Sequence, residues 1–482
     1  PPSARPSART VPPALDSKRA DILRFDVDGW HARFDDSFTD ENVARIADAL
    51  GLVWANGHPG ATVYVGFDTR HAAHDHARLA AGVLASYGLV VKVSDRPCPT
   101  PAVAWTCARD EGAVGALVLT ASERSCEYGG LVVRGSDGGP VPHDFLDEVE
   151  QSVSLTPTAA RGAFEELDLM DEYLSSLAAW VDRESIAAAR PRVVVDAMYG
   201  AGTGHLAEVL TDLGCEVVEI HVEPREDFGG IHPDPRDPWA DSCEQAVVAH
   251  QADLGLLLDG DADRASVVDE RGRLLPARVL IPMVLGNLVM GHGAHGRVVT
   301  TLTCSACIGR EASRLGCDTT SVPVGFTRVY REMLEADAIM GVEEYGGICV
   351  PAHLHERDGM LVCLLAVEML ARSGKTVSTM ASELESIIGT MWYARRDLRL
   401  DPAVSQAFRN ILPGLNPGEL AGRLPVEVSH ADGLRAQFDD DSWVLIRPSR
   451  TSSVVRVYAE APSAPERDDL LSAACDLVRR GL

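Results

Sequence analysis

The chain has 482 residues, 46% of them hydrophobic, so it is too long for one core and is expected to divide into three or four domains. Its 71 acidic and 44 basic residues give a net charge of −27, which argues against nucleic acid or an anionic membrane as partner. The eleven cysteines, an odd number without a framework of spacings, fit a reducing compartment, and the longest apolar stretch, VLIPMVLGNLVM, is too short to span a bilayer. We therefore predict a cytoplasmic protein.

Short β-branched runs alternate with helical patterns along most of the chain. TVYVGFD precedes a helical stretch and then LVVKVSD, and RVVVDAM precedes HLAEVLTDLG and then CEVVEIHV. This rhythm restarts after residue 190 and again at GRVVTTLT, which indicates successive α/β units with mainly parallel sheets. After about residue 388 short strands separated by turn signals predict a smaller α+β domain.

A serine, Ser122, follows the predicted strand AVGALVLT, in the segment TASERSCEYGG. Small hydroxyl residues end strands routinely, because their side chains hydrogen-bond the local backbone. Taken alone, Ser122 is therefore explained as a turn residue.

Three aspartates at alternate positions follow another apolar strand, in LLLDGDADR. Carboxylates this close repel one another unless a cation compensates, and they are the hard oxygen ligands that Mg²⁺ or Ca²⁺ prefers. A calcium loop of the EF-hand type does not fit, because Arg264 stands where its sharp turn requires glycine. The pattern predicts a divalent-metal site at Asp259, Asp261 and Asp263.

Two further glycine-containing loops are less specific. VVVDAMYGAGTGHL lies between a strand and a helix, but its G-x-G-x-G spacing differs from the dinucleotide fingerprint, and a tight turn explains its glycines. GVEEYGG places Glu343 and Glu344 between glycines, which is compatible with an exposed turn or with carboxylates presented to sugar hydroxyls.

A basic cluster near the C-terminus stands out in this acidic chain. WVLIRPSRTSSVVRVYAE carries Arg447, Ser449, Arg450, Thr451 and Arg456 in and beside a loop between two strands. Guanidinium groups, hydroxyls and free backbone N–H groups together bind phosphate. We expect a phosphate site here in preference to a plain hairpin.

The order TAS…YGG, DGDADR, EEYGG and RPSRT…VRVY resembles the α-D-phosphohexomutase superfamily, which includes phosphoglucomutases and phosphomannomutases. FDVDGWHARFDDSFTDENVARIA, GFDTR, TPAVAW and VPVGF are similar to further family segments, so the likeness covers almost the whole chain. It implies three related α/β domains with mainly parallel mixed sheets and a C-terminal α+β domain around a central cleft. We expect a mobile tail at 1–18 and domains at 19–165, 166–272, 273–388 and 389–482.

The resemblance also implies roles for the residues singled out above. Ser122 would carry the phosphoryl group and, with Asp259, Asp261 and Asp263, bind Mg²⁺. Arg70 would assist catalysis, and Arg124, although it departs from the family pattern, could provide positive charge near the phosphoryl group. The substrate would contact Glu343, Glu344, Tyr345, Arg447, Ser449, Arg450, Thr451 and Arg456. A sugar bisphosphate would activate the enzyme, and the chain would act on a small sugar phosphate as a monomer or homodimer.

This chain departs from the family pattern in its ligand loops. Glu123, Arg124 and Ser125 replace the usual His-Asn-Pro, and Val132 stands where a lysine is expected. Tyr345 replaces a serine of the sugar loop and should narrow the pocket, Arg450 and Ser452 replace Gly and Glu, and His31 replaces arginine. Three functions stay open: a mutase that moves a phosphoryl group between the 1 and 5/6 positions, a sugar (bis)phosphate phosphohydrolase, and a non-catalytic sugar-phosphate sensor.

Overall fold

The structure is a computed structural model that describes residues 23–25, 29–335, 337–449 and 453–480. The tail predicted at 1–18, together with Arg450 and Thr451, lies outside the described residues. Four β-sheets follow one another along the chain. Within the described ranges, no helix combines the length and apolar character needed to cross a membrane.

The first sheet has six strands in the order β1-β5-β4-β2-β3-β6. β2 pairs in parallel with β3 and β4, while β5 runs antiparallel to both β4 and β1. Its elements are β1 (Gly29–Arg33), α1 (Asp40–Gly57), β2 (Thr62–Phe67), α2 (Ala73–Ala85), β3 (Val90–Ser94), α3 (Thr100–Arg109), β4 (Ala113–Leu119), β5 (Tyr128–Gly135), α4 (His143–Ser152) and β6 (Glu165–Leu167).

The second sheet has four strands in the order β10-β9-β7-β8, of which only β10 is antiparallel to its neighbour. β9 is buried along its whole length, which explains its uninterrupted LGLLL run. Its elements are α5 (Asp171–Trp180), α6 (Arg183–Ala189), β7 (Arg192–Asp196), α7 (His205–Asp212), β8 (Glu216–Ile220), α8 (Asp241–His250), β9 (Leu254–Leu258) and β10 (Ala265–Asp269).

The third sheet repeats this plan in the order β12-β11-β13-β14, with β14 antiparallel at the edge. A π-helical turn at Asn287–Gly291 continues the first of its helices. Its elements are α9 (Ala277–Gly286), β11 (Arg297–Thr301), α10 (Ala306–Arg314), β12 (Thr319–Val322), α11 (Phe326–Glu335), β13 (Ala338–Val342), β14 (Ile348–Cys349), α12 (Gly359–Ser373) and α13 (Val377–Ile388).

The fourth sheet is antiparallel throughout, in the order β15-β19-β18-β17-β16. It has its own core, to which Phe408, Ile446 and Val457 contribute. Its elements are β15 (Trp392–Arg399), α14 (Pro402–Ile411), β16 (Glu427–Ser429), β17 (Leu434–Gln437), β18 (Trp443–Pro448), β19 (Val454–Ala461) and α15 (Ala464–Arg480).

This architecture confirms the predicted fold class of three mainly parallel α/β units and a C-terminal α+β unit. The carboxyl ends of central parallel strands are the usual place for ligand sites in such sheets. Ser122 follows β4, Asp259 follows β9 and Glu343 follows β13, so each α/β unit contributes one loop. The domain boundaries stay a prediction; the one placed between residues 165 and 166 runs through β6.

Candidate active site

Ser122 lies at a strained turn directly after β4. Its φ is 50°, a region that non-glycine residues rarely occupy and that is often found at functional sites. Its backbone N–H donates to Thr120 Oγ1 at 2.9 Å, and the Thr120 hydroxyl donates to Asp68 Oδ2 at 2.6 Å. A turn that merely ends a strand does not require this backbone strain.

Arg70 is buried beneath the loop and holds its shape. Its Nε donates to Asp68 Oδ2 at 3.0 Å, and its two terminal nitrogens donate to backbone carbonyl oxygens of the loop. Those carbonyls belong to Ser122, Arg124, Ser125 and Tyr128. The structure therefore brings Arg70 to the loop, where its contacts position Ser122, whereas Arg124 is exposed with its guanidinium 5.8 Å from the Tyr128 ring centroid.

The three aspartates converge on one point in the buried loop after β9. One carboxylate oxygen from each lies within 4.8 Å of the others. Burial and the neighbouring charges of Asp263 and Asp261 raise the pKa of Asp259 well above its ordinary value, and burial and Asp263 raise the pKa of Asp261 to about 7. Oδ1 of Asp261 and Oδ1 of Asp263 are buried without a hydrogen-bond partner in the described part of the chain. Unpaired buried carboxylate oxygens with mutual repulsion fit a divalent cation.

Ser122 and the aspartate loop contact each other directly. Ser122 Oγ donates to Asp259 Oδ2 at 3.0 Å, and Arg264 Nη1 donates to Ser122 Oγ at 3.2 Å. The same Arg264 nitrogen contacts Glu123 Oε2 at 2.6 Å and Asp259 Oδ2 at 3.3 Å. Burial alone would raise the pKa of Glu123, but the Arg264 charge outweighs it and holds that pKa below its ordinary value. The hydroxyl thus lies between a carboxylate and a guanidinium.

The close approach of these loops depends on Gly260. A Cβ on Gly260 would lie 2.6 Å from the carbonyl oxygen of Ser122 and 3.2 Å from Pro233 Cγ. Thr100, at the start of α3, holds Asp261 of the aspartate loop. Its Oγ1 donates to Asp261 Oδ2 at 2.6 Å, and its N–H donates to the Asp261 carbonyl oxygen at 3.0 Å. The first two units therefore meet where the Ser122 loop contacts the aspartate loop.

The two glutamates of the predicted sugar loop, residues 341–347, face different partners. Glu343 Oε2 accepts from Arg357 Nη1 at 2.8 Å, and Arg357 Nη2 lies 2.8 Å from Asp263 Oδ2. Glu344 Oε2 accepts from Thr303 Oγ1, after β11, at 2.8 Å. Arg357 thus ties the predicted sugar loop to the predicted metal loop.

Tyr345 lies where the second, third and fourth units meet. The guanidinium carbon of Arg236 is 4.2 Å from its ring centroid, and its hydroxyl is 3.2 Å from the Tyr393 hydroxyl of β15. The tyrosine ring is therefore fixed between two neighbours from other units.

The described part of the predicted phosphate loop carries paired arginines. Arg447 of β18 lies directly opposite Arg456 of β19, and Arg456 Nε is buried without a hydrogen-bond partner among the described residues. Arg447 Nε donates to Asp432 Oδ2 at 2.7 Å, and the same oxygen accepts from the Val324 N–H at 3.0 Å. Ser449 is buried, and its N–H donates to the carbonyl oxygen of Val454. Arg456 also lies opposite Asp397 of β15, so the buried Nε of Arg456, unpartnered within the described ranges, is the feature of this pair that a bound anion would satisfy.

Sequence reasoning missed four residues that contact the Ser122 loop, the aspartate loop or the predicted sugar loop. Arg264 directly follows the aspartates, and its position was a signal for pairing with them, whereas Thr100 and Arg357 are distant in sequence from their partners. Arg236 gave no signal because its neighbour Tyr345 is more than a hundred residues away. Val132, at the lysine position of the family, is buried in β5 and supplies no charge.

Comparison with known proteins agrees with this architecture. Four family models match in order: phosphoglucomutase/phosphomannomutase alpha/beta/alpha domain I at residues 23–158, domain II at 171–272, domain III at 281–387 and the C-terminal domain at 416–477. A phosphoglucomutase/phosphomannomutase from Thermococcus kodakarensis is 30% identical over 455 residues, covering 93% of this chain and 96% of that protein. A phosphoglucosamine mutase from Moorella thermoacetica is 27% identical, covering 95% and 99%.

Solved structures give the same result. A putative phosphomannomutase from Thermus thermophilus is 32% identical with a TM-score of 0.84, covering 95% of this chain and 99% of that one. The fold extends to an Aspergillus fumigatus N-acetylphosphoglucosamine mutase in complex with GlcNAc-6P and magnesium, at 15% identity and a TM-score of 0.54, covering 95% and 96%. Fold and loops together define the α-D-phosphohexomutase architecture. The chain belongs to the phosphoglucomutase/phosphomannomutase family and is a phosphohexomutase, an isomerase of carbohydrate metabolism.

Proposed function

We propose that this phosphohexomutase moves a phosphoryl group between the 1 and 5/6 positions of a sugar phosphate through Ser122. Phosphorylated Ser122 gives its phosphoryl group to a sugar hydroxyl: the Ser122 Oγ–P bond breaks, a new sugar O–P bond forms, and overall the hydroxyl proton passes to Ser122 Oγ. The bisphosphate then reverses its orientation in the site, and its other phosphoryl group is transferred to Ser122 Oγ. A sugar bisphosphate that phosphorylates Ser122 in the first place would therefore act as activator.

The hydrogen bonds of the Ser122 hydroxyl carry this proposal. Asp259 accepts from Oγ at 3.0 Å, and Arg264 donates to it at 3.2 Å. A phosphoryl group on Oγ would bring close to two negative charges next to the buried Asp259. Phosphoryl transfer needs positioning and charge stabilisation above all, and Arg264 lies where it can supply part of the charge.

The positive charge that Arg264 does not supply would come from Mg²⁺, held by Asp259, Asp261 and Asp263 together with Ser122. The support is the orphaned Oδ1 atoms of Asp261 and Asp263 and the raised pKa values of Asp259 and Asp261, both of which favour a bound cation. When bound, Mg²⁺ polarises the phosphoryl oxygens. Arg357 holds Asp263 and Glu343 in place, and Thr100 holds Asp261.

The other end of the substrate would bind to the fourth unit. Arg447 and Arg456 lie opposite each other with a buried unpaired nitrogen, an arrangement that a phosphate would stabilise. Ser449, Arg450 and Thr451 would complete this site, and Glu343, Glu344 and Tyr345 would contact the sugar. Arg124 is exposed on the Ser122 loop and can add positive charge at the transferred group.

The test uses ³¹P NMR on purified protein with Mg²⁺, a trace of glucose 1,6-bisphosphate and a panel of hexose and pentose 1-phosphates. We expect a 5- or 6-phosphate product and a phosphopeptide that contains phosphorylated Ser122. Ser122→Ala, which keeps a small side chain at the strained turn, should abolish both. Release of free phosphate would show a phosphohydrolase, binding without change would show a sensor, and either result would overturn the proposal.

A further inference from the structure

Arg236 lies in the segment between β8 and α8 and reaches the sugar loop of the next unit. Its guanidinium carbon is 4.2 Å from the Tyr345 ring centroid. Its Nε donates to Asp234 Oδ1 at 2.8 Å, and its Nη2 also contacts the Asp234 carboxylate. The Arg236 side chain remains 40% exposed. Asp234 and the tyrosine ring therefore hold one edge and one face of the guanidinium in place.

Both members of this stack are attached beside the aspartate loop. The carbonyl of Pro233, three residues before Arg236, accepts from the Gly260 N–H at 3.1 Å, and the carbonyl of Gly346, next to Tyr345, accepts from the Ala265 N–H at 3.4 Å. A Cβ on Gly260 would touch both Pro233 and the Ser122 carbonyl oxygen. The segments that carry the stack thus border the loop that contacts Ser122.

Two other arginines of the site, Arg264 and Arg357, already have several protein partners. Arg264 contacts Glu123 and Asp259, and Arg357 contacts Asp263 and Glu343. Arg236 is bound on one edge only, and its Nη1 has no hydrogen-bond partner among the described residues. Burial and the positive charge of Arg264 lower the pKa of Arg236. The Asp234 carboxylate outweighs both and raises that pKa above its ordinary value, so the guanidinium stays charged.

We propose that Arg236 is a specificity-determining residue that donates from Nη1 to the phosphoryl group at the Ser122 end of the sugar bisphosphate. This inference rests on the proposed function, because only a mutase forms that intermediate. A preorganised guanidinium binds phosphate oxygens strongly. A sugar monophosphate bound by its distal phosphate presents a hydroxyl at this end, so Arg236 favours retention of the bisphosphate over the monophosphate.

Binding of glucose 1,6-bisphosphate and glucose 6-phosphate is measured by calorimetry with Mg²⁺ in a Ser122→Ala background, which prevents transfer. We expect Arg236→Gln to raise the Kd of the bisphosphate about tenfold or more, as for loss of a charged hydrogen bond, and that of the monophosphate by less than about threefold. Arg236→Lys should restore part of the loss.

Arg225→Gln is the matched control. Arg225 lies earlier in the same connection, contacts Asp227 at 3.0 Å and stacks 5.5 Å from the Tyr199 ring centroid, but has no contact with the sugar loop. Arg225→Gln should leave the Kd values of the bisphosphate and the monophosphate within about twofold of those of the parent protein. Equal bisphosphate binding by the Arg236→Gln and parent proteins, or an equal loss in Arg225→Gln, would overturn the inference.

A merely indirect role is also tested. If Arg236→Gln raises the Kd of the monophosphate as much as that of the bisphosphate, Arg236 acts only by positioning Tyr345 and the inference is wrong. Failure of this inference can be told apart from failure of the proposed function. If the wild-type protein becomes phosphorylated on Ser122 and forms product, but Arg236→Gln leaves bisphosphate binding unchanged, only the role of Arg236 is wrong.

Discussion

Single residues in the Ser122 loop and the aspartate loop are constrained by distances that leave no room for larger groups. Gly260 shows this most clearly, because its missing side chain lets the aspartate loop reach Ser122. The left-handed backbone of Ser122 and the buried Arg70 beneath it fix the hydroxyl from the opposite side. Residue identity here is set by contact between units and not by the stability of one unit.

Gly260→Ala should therefore damage catalysis more than folding. Its methyl group would meet a backbone oxygen at 2.6 Å, so the two loops must separate. We expect turnover in the NMR assay to fall by about tenfold or more, since small misplacements of reacting groups are costly. Gly309→Ala in α10 is the control, because nothing lies within 4 Å of its added methyl group and alanine favours a helix. Equal activity in both variants would contradict this account.

The aspartate cluster makes a second prediction at this scale. Asp261→Asn should raise the melting temperature of the metal-free protein by removing like-charge repulsion, yet reduce the stabilisation by added Mg²⁺. Thermal unfolding with EDTA and with Mg²⁺ measures both effects. Asp237→Asn is the control, since Asp237 is exposed and belongs, with Asp241 and Glu244, to the other group of carboxylates in the described part of the chain that could hold an ion. Unchanged Mg²⁺ stabilisation in Asp261→Asn would rule out this cluster as the metal site.

Among the elements, hairpin β18–β19 depends on a neighbouring unit for its position. Asp432, before β17, joins Arg447 to the backbone of Val324, just before α11. Asp432→Ala would leave a backbone N–H and a guanidinium without this partner. We expect KM for the sugar phosphate to rise about tenfold with a smaller change in kcat, because the predicted phosphate site loses its support.

The control for this prediction is Asp441→Asn, because the left-handed backbone of Asp441, with a φ of 69°, suits asparagine better than alanine. Asp441 pairs with Arg310 at 2.9 Å across the same two units, but the pair is exposed and should contribute little. Steady-state kinetics of both variants distinguishes a specific support from general weakening of the contact. A similar KM in Asp432→Ala and wild type would contradict the role given to Asp432.

The elements were largely predictable from sequence, and their contacts were not. Continuous β-branched runs such as RVVVD and TVYVGF are buried strands, and their pattern follows directly from burial on both faces. The aspartate spacing likewise predicted the cluster that the structure shows. The pairings of Thr100 with Asp261 and of Arg357 with Asp263 required the packing of separate units, about which local periodicity carries no information.

In the whole molecule, Tyr345 joins three units at one point. Arg236 comes from the second, Tyr345 from the third and Tyr393 from the fourth, and burial raises the pKa of Tyr393. The side chain expected to narrow the sugar pocket thus also contacts the unit that would bind the distal phosphate. Pocket size and the placement of the fourth unit are consequently coupled through one residue.

Two substitutions separate these roles. Tyr345→Phe removes only the hydroxyl and should increase hydrogen exchange in β15 while leaving the preference among sugar phosphates unchanged, because the ring still fills the same space. Tyr345→Ser removes the ring as well and should raise kcat/KM for glucose 1-phosphate relative to smaller or deoxygenated sugar phosphates. Hydrogen-exchange mass spectrometry and competition kinetics measure the two effects. If the wild-type protein already turns over glucose 1-phosphate at about 10 per second, a typical enzyme rate, the ring does not restrict the hexose and its role is confined to joining the units.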